Sequence, residues 1–367
     1  MTADDDQPAG SARSGLLSRR NLIVGGTAAA MAAAGATGVL MYNPPSGTPR
    51  PAPDPSRPAK TTVKPAGEYL GAMVGAPIDQ AALPRWRADV DTLVSHGQNL
   101  IRTSVYAWLV APAKFEWNPE ASAFYRDALG YARDRGLAIN MVVPGSPDWS
   151  QDYPFEDYAE ACSWFWTTMR DNFDDMVDLW QPYNEADHSH YQKFTGAPRE
   201  DSDEYARYLG EFGYMLGVAR EVLGRNGTPV TTNLTGWPMN DAREQEWYTV
   251  LDAIQPALDV LSLDLYPADS ESEIARLAER VERVRQRYDK PVFIAEIGLQ
   301  TTPGSWTEAD QRAYVPAAIK TLRTGKVWGI CLYELRDNES PAGFGIIRQD
   351  GSQKPGFATV MSAMAPK

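Results

Sequence analysis

Cysteine is nearly missing from this chain of 367 residues, which holds only Cys162 and Cys331. Two cysteines supply no disulfide framework, so the fold must rest on a packed core. Cys162 falls in a helical pattern and Cys331 in an apolar strand, and both are expected as buried thiols. Histidine is scarce as well. There are three, with His188 and His190 close together in one loop, which is too few for a structural zinc centre, so no metal is expected. Positive charge is in deficit: 35 Lys/Arg face 48 Asp/Glu, for a net charge of -13. The first 66 residues hold seven of the basic side chains and four of the acidic ones, so the rest is more acidic still. Such a body is a poor partner for nucleic acid or an anionic membrane surface. A glycine-rich phosphate loop is also lacking. Gly71-Ala72-Met73-Val74-Gly75 follows the first strand pattern without the spacing that a dinucleotide site needs.

What is present begins with the N-terminus. Ser18-Arg19-Arg20-Asn21-Leu22 leads into an apolar, Ala/Gly-rich run over 22–42. This resembles a twin-arginine export signal of the bacterial type, with Ala34-Gly35-Ala36 as a cleavage site. The alternative is a membrane anchor, since about 20 apolar residues span a bilayer. Residues 1–42 are therefore read as signal or anchor, and membrane contact is expected only through them. Residues 43–66, rich in Pro, Thr, Ser and Lys, cannot bury a core and read as a flexible linker. The expected location is extracellular or cell-envelope associated.

From residue 67 to 367, short apolar runs alternate with helical patterns. Strands are predicted at 69–74, 99–105, 138–143, 176–183, 229–233, 260–265, 291–296 and 327–333, several of them near-continuous apolar runs as in strands covered on both faces. Between them, Trp86, Val90, Leu93 and Val94 share one helical face. So do Tyr205, Leu209, Phe212, Leu216 and Ala219, with Asp201 as a cap and Gly224 as a stop. A third helix is predicted at 271–288, with Ile274, Leu277, Val281 and Val284 on one side. Eight alternations predict one α/β domain, a (β/α)₈ TIM barrel, ahead of a doubly wound sheet.

A barrel gathers its chemistry at the C-terminal ends of its strands. Read in order, these ends offer Arg102, Trp149, Asn184 with Glu185, Asn233 with Trp237, Asp264 with Tyr266, Glu296, and finally Tyr333, Glu334 and Arg336. Two of the strand patterns end on a glutamate: Trp180-Gln181-Pro182-Tyr183-Asn184-Glu185 and Phe293-Ile294-Ala295-Glu296. Acidic groups at the end of buried strands are paired or working. Two of them across one rim are the minimum equipment for breaking a glycosidic bond. Eleven Trp and 17 Tyr offer flat faces for sugar rings, or core packing.

Asn-Glu on strand 4 and Glu on strand 7 resemble the clan A ("4/7") retaining glycoside hydrolases. The stretch Leu332-Tyr333-Glu334-Leu335-Arg336-Asp337 is similar to the last strand of its cellulase-like and β-xylosidase-like branches, the latter including exopolysaccharide glycosidases. The resemblance implies Glu185 as general acid and then base, Glu296 as nucleophile, and Asn184 on the sugar 2-hydroxyl. Arg102 and the Tyr266 hydroxyl are expected to face Glu296 and favour its ionised form. Trp149, Asn233, Trp237, Tyr266 and Tyr333 are expected substrate contacts, and His188 and His190 outer-subsite contacts or solvated loop residues. No cofactor is implied, because two carboxylates and water suffice. Three departures stand out: Ala186 where Pro is usual, Asp264 where many relatives have His, and Tyr333 where many have Trp. Asp264 adds an acid near Glu296 that would raise the Glu296 carboxyl unless Arg102 or Arg336 neutralises it; the alternative for Arg336 is an ion pair with Glu334 that closes the barrel. The expected function is an exported enzyme cleaving a polysaccharide or oligosaccharide. The alternative is a catalytically silent, polysaccharide-binding barrel of the envelope.

Overall fold

A computed structural model describes residues 68–143, 145–186, 203–234, 241–266, 271–301, 306–338 and 343–366. The expected signal or anchor and the linker lie outside the described residues, as do His188, His190, Asp201 and Trp237.

Eight parallel strands follow in chain order: β1 (Tyr69–Met73), β2 (Leu100–Ser104), β3 (Ala138–Val142), β4 (Leu179–Gln181), β5 (Asn233–Leu234), β6 (Leu261–Leu265), β7 (Val292–Ile297) and β8 (Gly329–Leu332). Their order in the sheet is β4-β3-β2-β1-β8-β7-β6-β5. The ends of that list meet as well. The Trp180 N–H donates to the Pro229 carbonyl at 3.0 Å, and the Thr231 N–H to the Trp180 carbonyl at 2.8 Å. These bonds bring β4 against the stretch that leads into β5 and nearly close the barrel. The fifth strand is shorter and later than the predicted 229–233, because residues 229–232 pair only through that bridge.

The helices are α1 (Leu83–Ser95), the single turn α2 (Ala107–Val110), α3 (Pro119–Asp134), α4 (Phe155–Phe173), α5 (Asp203–Leu223), α6 (Asp241–Ile254), α7 (Glu271–Tyr288), α8 (Glu308–Leu322) and α9 (Phe357–Ala363). Local chemistry sets their ends. Asn118 caps α3 by accepting from the Glu120 and Ala121 N–H groups, with Pro119 in the first turn where no donor is needed. Thr307 and Asp310 form a reciprocal capping box on α8. Residues 224–226 turn as a 3₁₀ helix after α5, so Gly224 does stand at the stop. None of the helices among the described residues is long and apolar enough to cross a membrane.

Strand periodicity sorts the core into two shells. Leu70, Ile101, Ile139, Trp180 and Leu263 face outward against helices such as α1 and α4. Tyr69, Leu100, Ala138, Leu179, Phe293 and Cys331 point inward and fill the lower barrel. Cys162 on α4 and Cys331 on β8 are both buried thiols. Two residues beyond Leu100 and Leu179 stand Arg102 and Gln181, and four beyond the inward Val260 stands Asp264 of β6, all three buried. The barrel is thus apolar below and polar at its C-terminal mouth.

Candidate active site

Glu296 reaches the mouth through an irregularity that alternation does not predict. Phe293 and Ala295 face inward while Ile294 and Ile297 face the helices, so strict alternation would send Glu296 outward. The register supplies the reason. Leu263 pairs with Ile294, but the next residue, Asp264, pairs with Glu296. Two residues of β7 oppose one of β6, a β-bulge that turns Glu296 inward beside Asp264. The β7–β8 register shifts over the same stretch. Gly298 then lets β8 pass close by, since a Cβ there would lie 2.0 Å from the Tyr333 carbonyl oxygen.

Both oxygens of the Glu296 carboxylate are engaged. Arg102 Nη1 donates to Oε1 at 2.8 Å, and the Tyr266 hydroxyl donates to Oε2 at 2.5 Å. Arg102 is itself held by Gln181 and Asn184, donating from Nε to Gln181 Oε1 at 3.1 Å and from Nη2 to Asn184 Oδ1 at 2.6 Å. The whole guanidinium fork is used, which a lysine could not reproduce. Burial drives the Glu296 carboxyl above its ordinary range. Arg102 pulls it back, Glu185 pushes it up, and Tyr266 lowers it again. Arg102 and Tyr266 thus both favour the ionised form, as expected, while burial, the largest influence, leaves the carboxyl raised. The Tyr266 phenol is raised in turn, first by burial and then by Glu296, and so remains a donor.

Glu185 lies beyond the end of β4 with a backbone φ of +46°. A non-glycine residue in the left-handed region stores about 1–3 kcal/mol of strain and needs neighbours that enforce it. They are present. The Glu185 N–H donates to Asn233 Oδ1 at 3.0 Å, Thr232 Oγ1 donates to the Tyr183 carbonyl at 3.1 Å, and the Tyr208 hydroxyl donates to the Ala186 carbonyl at 2.5 Å. Gln181, which the motif reading passed over, binds Asn233 Oδ1 at 2.6 Å and the Tyr183 carbonyl at 3.1 Å. Its inward position two residues after Leu179 is the signal that marks it. Asn184 and Glu185 are half-buried, at the solvent side of this network.

Asp264 completes the group. One carboxylate oxygen from each of Glu185, Asp264 and Glu296 lies within 4.8 Å of the others. Two full charges at that distance repel by about 3.5 kcal/mol at an effective dielectric of about 20, and Arg102 is the cation bonded within the group. Asp264 is fully buried, and Asn233 Nδ2 donates to its Oδ2 at 2.5 Å. Its carboxyl is raised well above the usual range, first by burial and then by Glu296 and Glu185. This trio is the set that a cation would use. Yet Arg102 already occupies one face of Glu296, and Asn233 one oxygen of Asp264.

Arg336 takes no part in it. It pairs with Asp89 of α1, donating from Nε to both carboxylate oxygens at 3.1 and 3.0 Å. The expectation that Arg336 balances Asp264 or pairs with Glu334 is thereby corrected: the side chain is spent on the outer helical layer. Glu334 is buried, and burial pushes its carboxyl up to about 7.

Aromatic rings pack beside Glu296 around Tyr266. Tyr333 and Tyr266 meet edge-to-face, with centroids 6.4 Å apart, and Phe344 contacts both, at 5.3 and 5.6 Å. Trp149 lies in the 3₁₀ turn Asp148–Ser150, where its indole N–H donates to the Ala111 carbonyl at 3.1 Å. It packs among Phe115, Tyr153 and Trp164. Trp108 and Trp306 are exposed. Trp237, a predicted contact, lies outside the described residues.

No known family's sequence profile matches the chain, and no curated protein matches it by sequence. Solved structures do. A GH5_18 protein from Streptomyces cattleya in complex with GlcNAc superposes with a TM-score of 0.65 at 17% identity, covering 83% of each chain. A structure of GH5_18 from the same organism, in complex with Manβ1-4GlcNAc, gives 0.64 at 16%, covering 80% of each chain. A β-glucosidase from Exiguobacterium marinum gives 0.62 at 16%, covering 81% of this chain and 97% of its own. At these identities the likeness speaks for architecture. The chain therefore has the (β/α)₈ barrel fold that these clan A glycosidases share.

Proposed function

We propose that this protein is a retaining glycoside hydrolase acting on a β-linked oligosaccharide or polysaccharide. The observation that carries the reading is the opposed pair Glu185 and Glu296, with carboxylate oxygens within 4.8 Å of each other at the barrel mouth. Glycosidases that invert place their carboxyl groups about 6.5–9.5 Å apart to admit a water, whereas those that retain bring them to about 5–5.5 Å.

Glu296 is the nucleophile. Arg102 and Tyr266 aim its carboxylate and offset part of the cost of burying its charge. Glu185 gives a proton to the glycosidic oxygen as a Glu296 oxygen bonds to the anomeric carbon. The bond between that carbon and the glycosidic oxygen breaks, and the aglycone leaves as an alcohol. Glu185, now a carboxylate, takes a proton from water. The water oxygen attacks the anomeric carbon and displaces Glu296, which restores both residues. Asn184, anchored by Arg102, is placed for the sugar 2-hydroxyl. Asn233 sets the Glu185 backbone, and the Tyr266, Tyr333 and Phe344 rings supply an apolar wall. Trp149 and Trp237 are kept as candidate substrate contacts. The sugars in the S. cattleya complexes favour a hexopyranose or its N-acetylated form.

The N-terminal twin-arginine pattern supports an exported enzyme, acting on an envelope or environmental glycan. The test is hydrolysis of a panel of aryl β-glycosides and β-linked oligosaccharides by the full chain and by Glu296→Gln. Turnover by the wild type alone supports the reading. Binding without turnover in both proteins favours the silent polysaccharide-binding barrel.

A further inference from the structure

Asp264 holds a feature that the two-glutamate mechanism leaves unused. It is fully buried, and its Oδ1 has no hydrogen-bond partner among the described residues. Buried polar atoms in native proteins are nearly always satisfied, so such an oxygen next to Glu185 and Glu296 points to a ligand group. The other oxygen, Oδ2, accepts from Asn233 Nδ2, as a carbonyl oxygen of an un-ionised acid does. The surroundings argue for that form. Glu296 faces Asp264 from β7 and Glu185 faces it from beyond β4. Tyr266 follows two residues on, and Arg102 comes from β2 with its guanidinium bonded to Glu296, Gln181 and Asn184 instead. A third anion in this group would have no cation of its own.

We propose that Asp264 acts as a neutral carboxylic acid whose Oδ1 hydroxyl donates a hydrogen bond to a hydroxyl of the sugar held between Glu185 and Glu296. Asp264 is then a specificity-determining residue, selecting substrates that present an acceptor there. The upward displacement of its carboxyl by burial and by both glutamates agrees with this role. The inference rests on the proposed function for its ligand, and on the buried cluster alone for its protonation.

Two measurements on the full chain test it. The first is infrared difference spectroscopy across the neutral range, wild type against Asp264→Asn. A carboxylic-acid carbonyl band that is lost in Asp264→Asn and kept in Glu185→Gln supports the neutral acid. A carboxylate band lost in its place overturns it. The second is kcat/KM over a series of monodeoxy glycosides. One deoxy position should cost the wild type about 10- to 100-fold and cost Asp264→Ala nothing further, with Asp264→Asn recovering part of the discrimination through its amide. Equal penalties in wild type and Asp264→Ala overturn the contact. A wild type that shows the acid band but cleaves no glycoside refutes the proposed function and, with it, the sugar contact, while leaving the neutral acid standing.

Discussion

Arg102 and Glu296 lie 194 positions apart in the chain and meet at 2.8 Å, with side chains 1% and 6% exposed. A charge pair this buried gains little over an apolar pair of the same shape, but loses much when one partner is removed. Its value here is placement. The carboxylate is fixed from one side by a guanidinium that is fixed in turn by Gln181 and Asn184.

Arg102→Ala is therefore expected to destabilise the barrel by about 3–5 kcal/mol, because it strands Glu296 in the interior. Adding Glu296→Gln should return part of that loss. Denaturant melts of the two single variants and the double variant check this, and simple additivity would count against coupling.

Tyr266→Phe removes the second donor to Glu296. Since that hydroxyl holds the carboxyl down, its loss raises the carboxyl further. In the proposed mechanism Glu296 must be ionised to attack, so the acid limb of the kcat/KM profile should move to higher pH. The rate at the optimum should fall about 10- to 100-fold. An unmoved acid limb would contradict the role.

Glu185→Ala is expected to cut turnover of unactivated oligosaccharides by about 10²–10⁴-fold. Aryl glycosides with acidic leaving groups need no proton for departure, so their first step should be affected far less. Burst kinetics on such substrates, with slow second-step hydrolysis, provide the check.

Much of this arrangement is legible in the sequence, for a physical reason. Barrel strands are short apolar runs, and the polar residues that end them stand out against that background. Arg102, Asn184, Asp264 and Glu296 can be placed at one mouth from strand ordinals alone. What period-2 reading misses is any departure from the period. The bulge that turns Glu296 toward Asp264 is a pairing property of β6 with β7, visible in neither strand by itself. The left-handed backbone at Glu185 is imposed by Asn233, Thr232 and Tyr208 from other elements. Arg336 is misassigned for the same reason, since its partner Asp89 sits on α1, 247 positions away. Trp149 shows a further limit. Its position after β3 follows from the sequence, whereas its packing among Phe115, Tyr153 and Trp164 does not.

Glu334 makes stability depend on pH. Burial pushes its carboxyl from 4.5 up to about 7, with Asp337 and Glu296 adding to the rise. The folded chain thus keeps a proton that the unfolded chain releases near its ordinary value. Its contribution is complete at acid pH and is lost as pH climbs to about 7, on the order of 3 kcal/mol. Glu334→Gln should melt several degrees above the wild type in mildly alkaline buffer and close to it in acid. A gap independent of pH would contradict this.

The central claim is that Glu296 becomes covalently attached to the sugar. Its most direct test is peptide mapping by mass spectrometry after incubation with a 2-deoxy-2-fluoro β-glycoside bearing a good leaving group. The predicted result is one glycosyl adduct, on the peptide containing Glu296 and absent from Glu296→Gln. An adduct on Glu185 or Asp264, or complete hydrolysis of productive substrates with inverted anomeric configuration and no adduct, would contradict it.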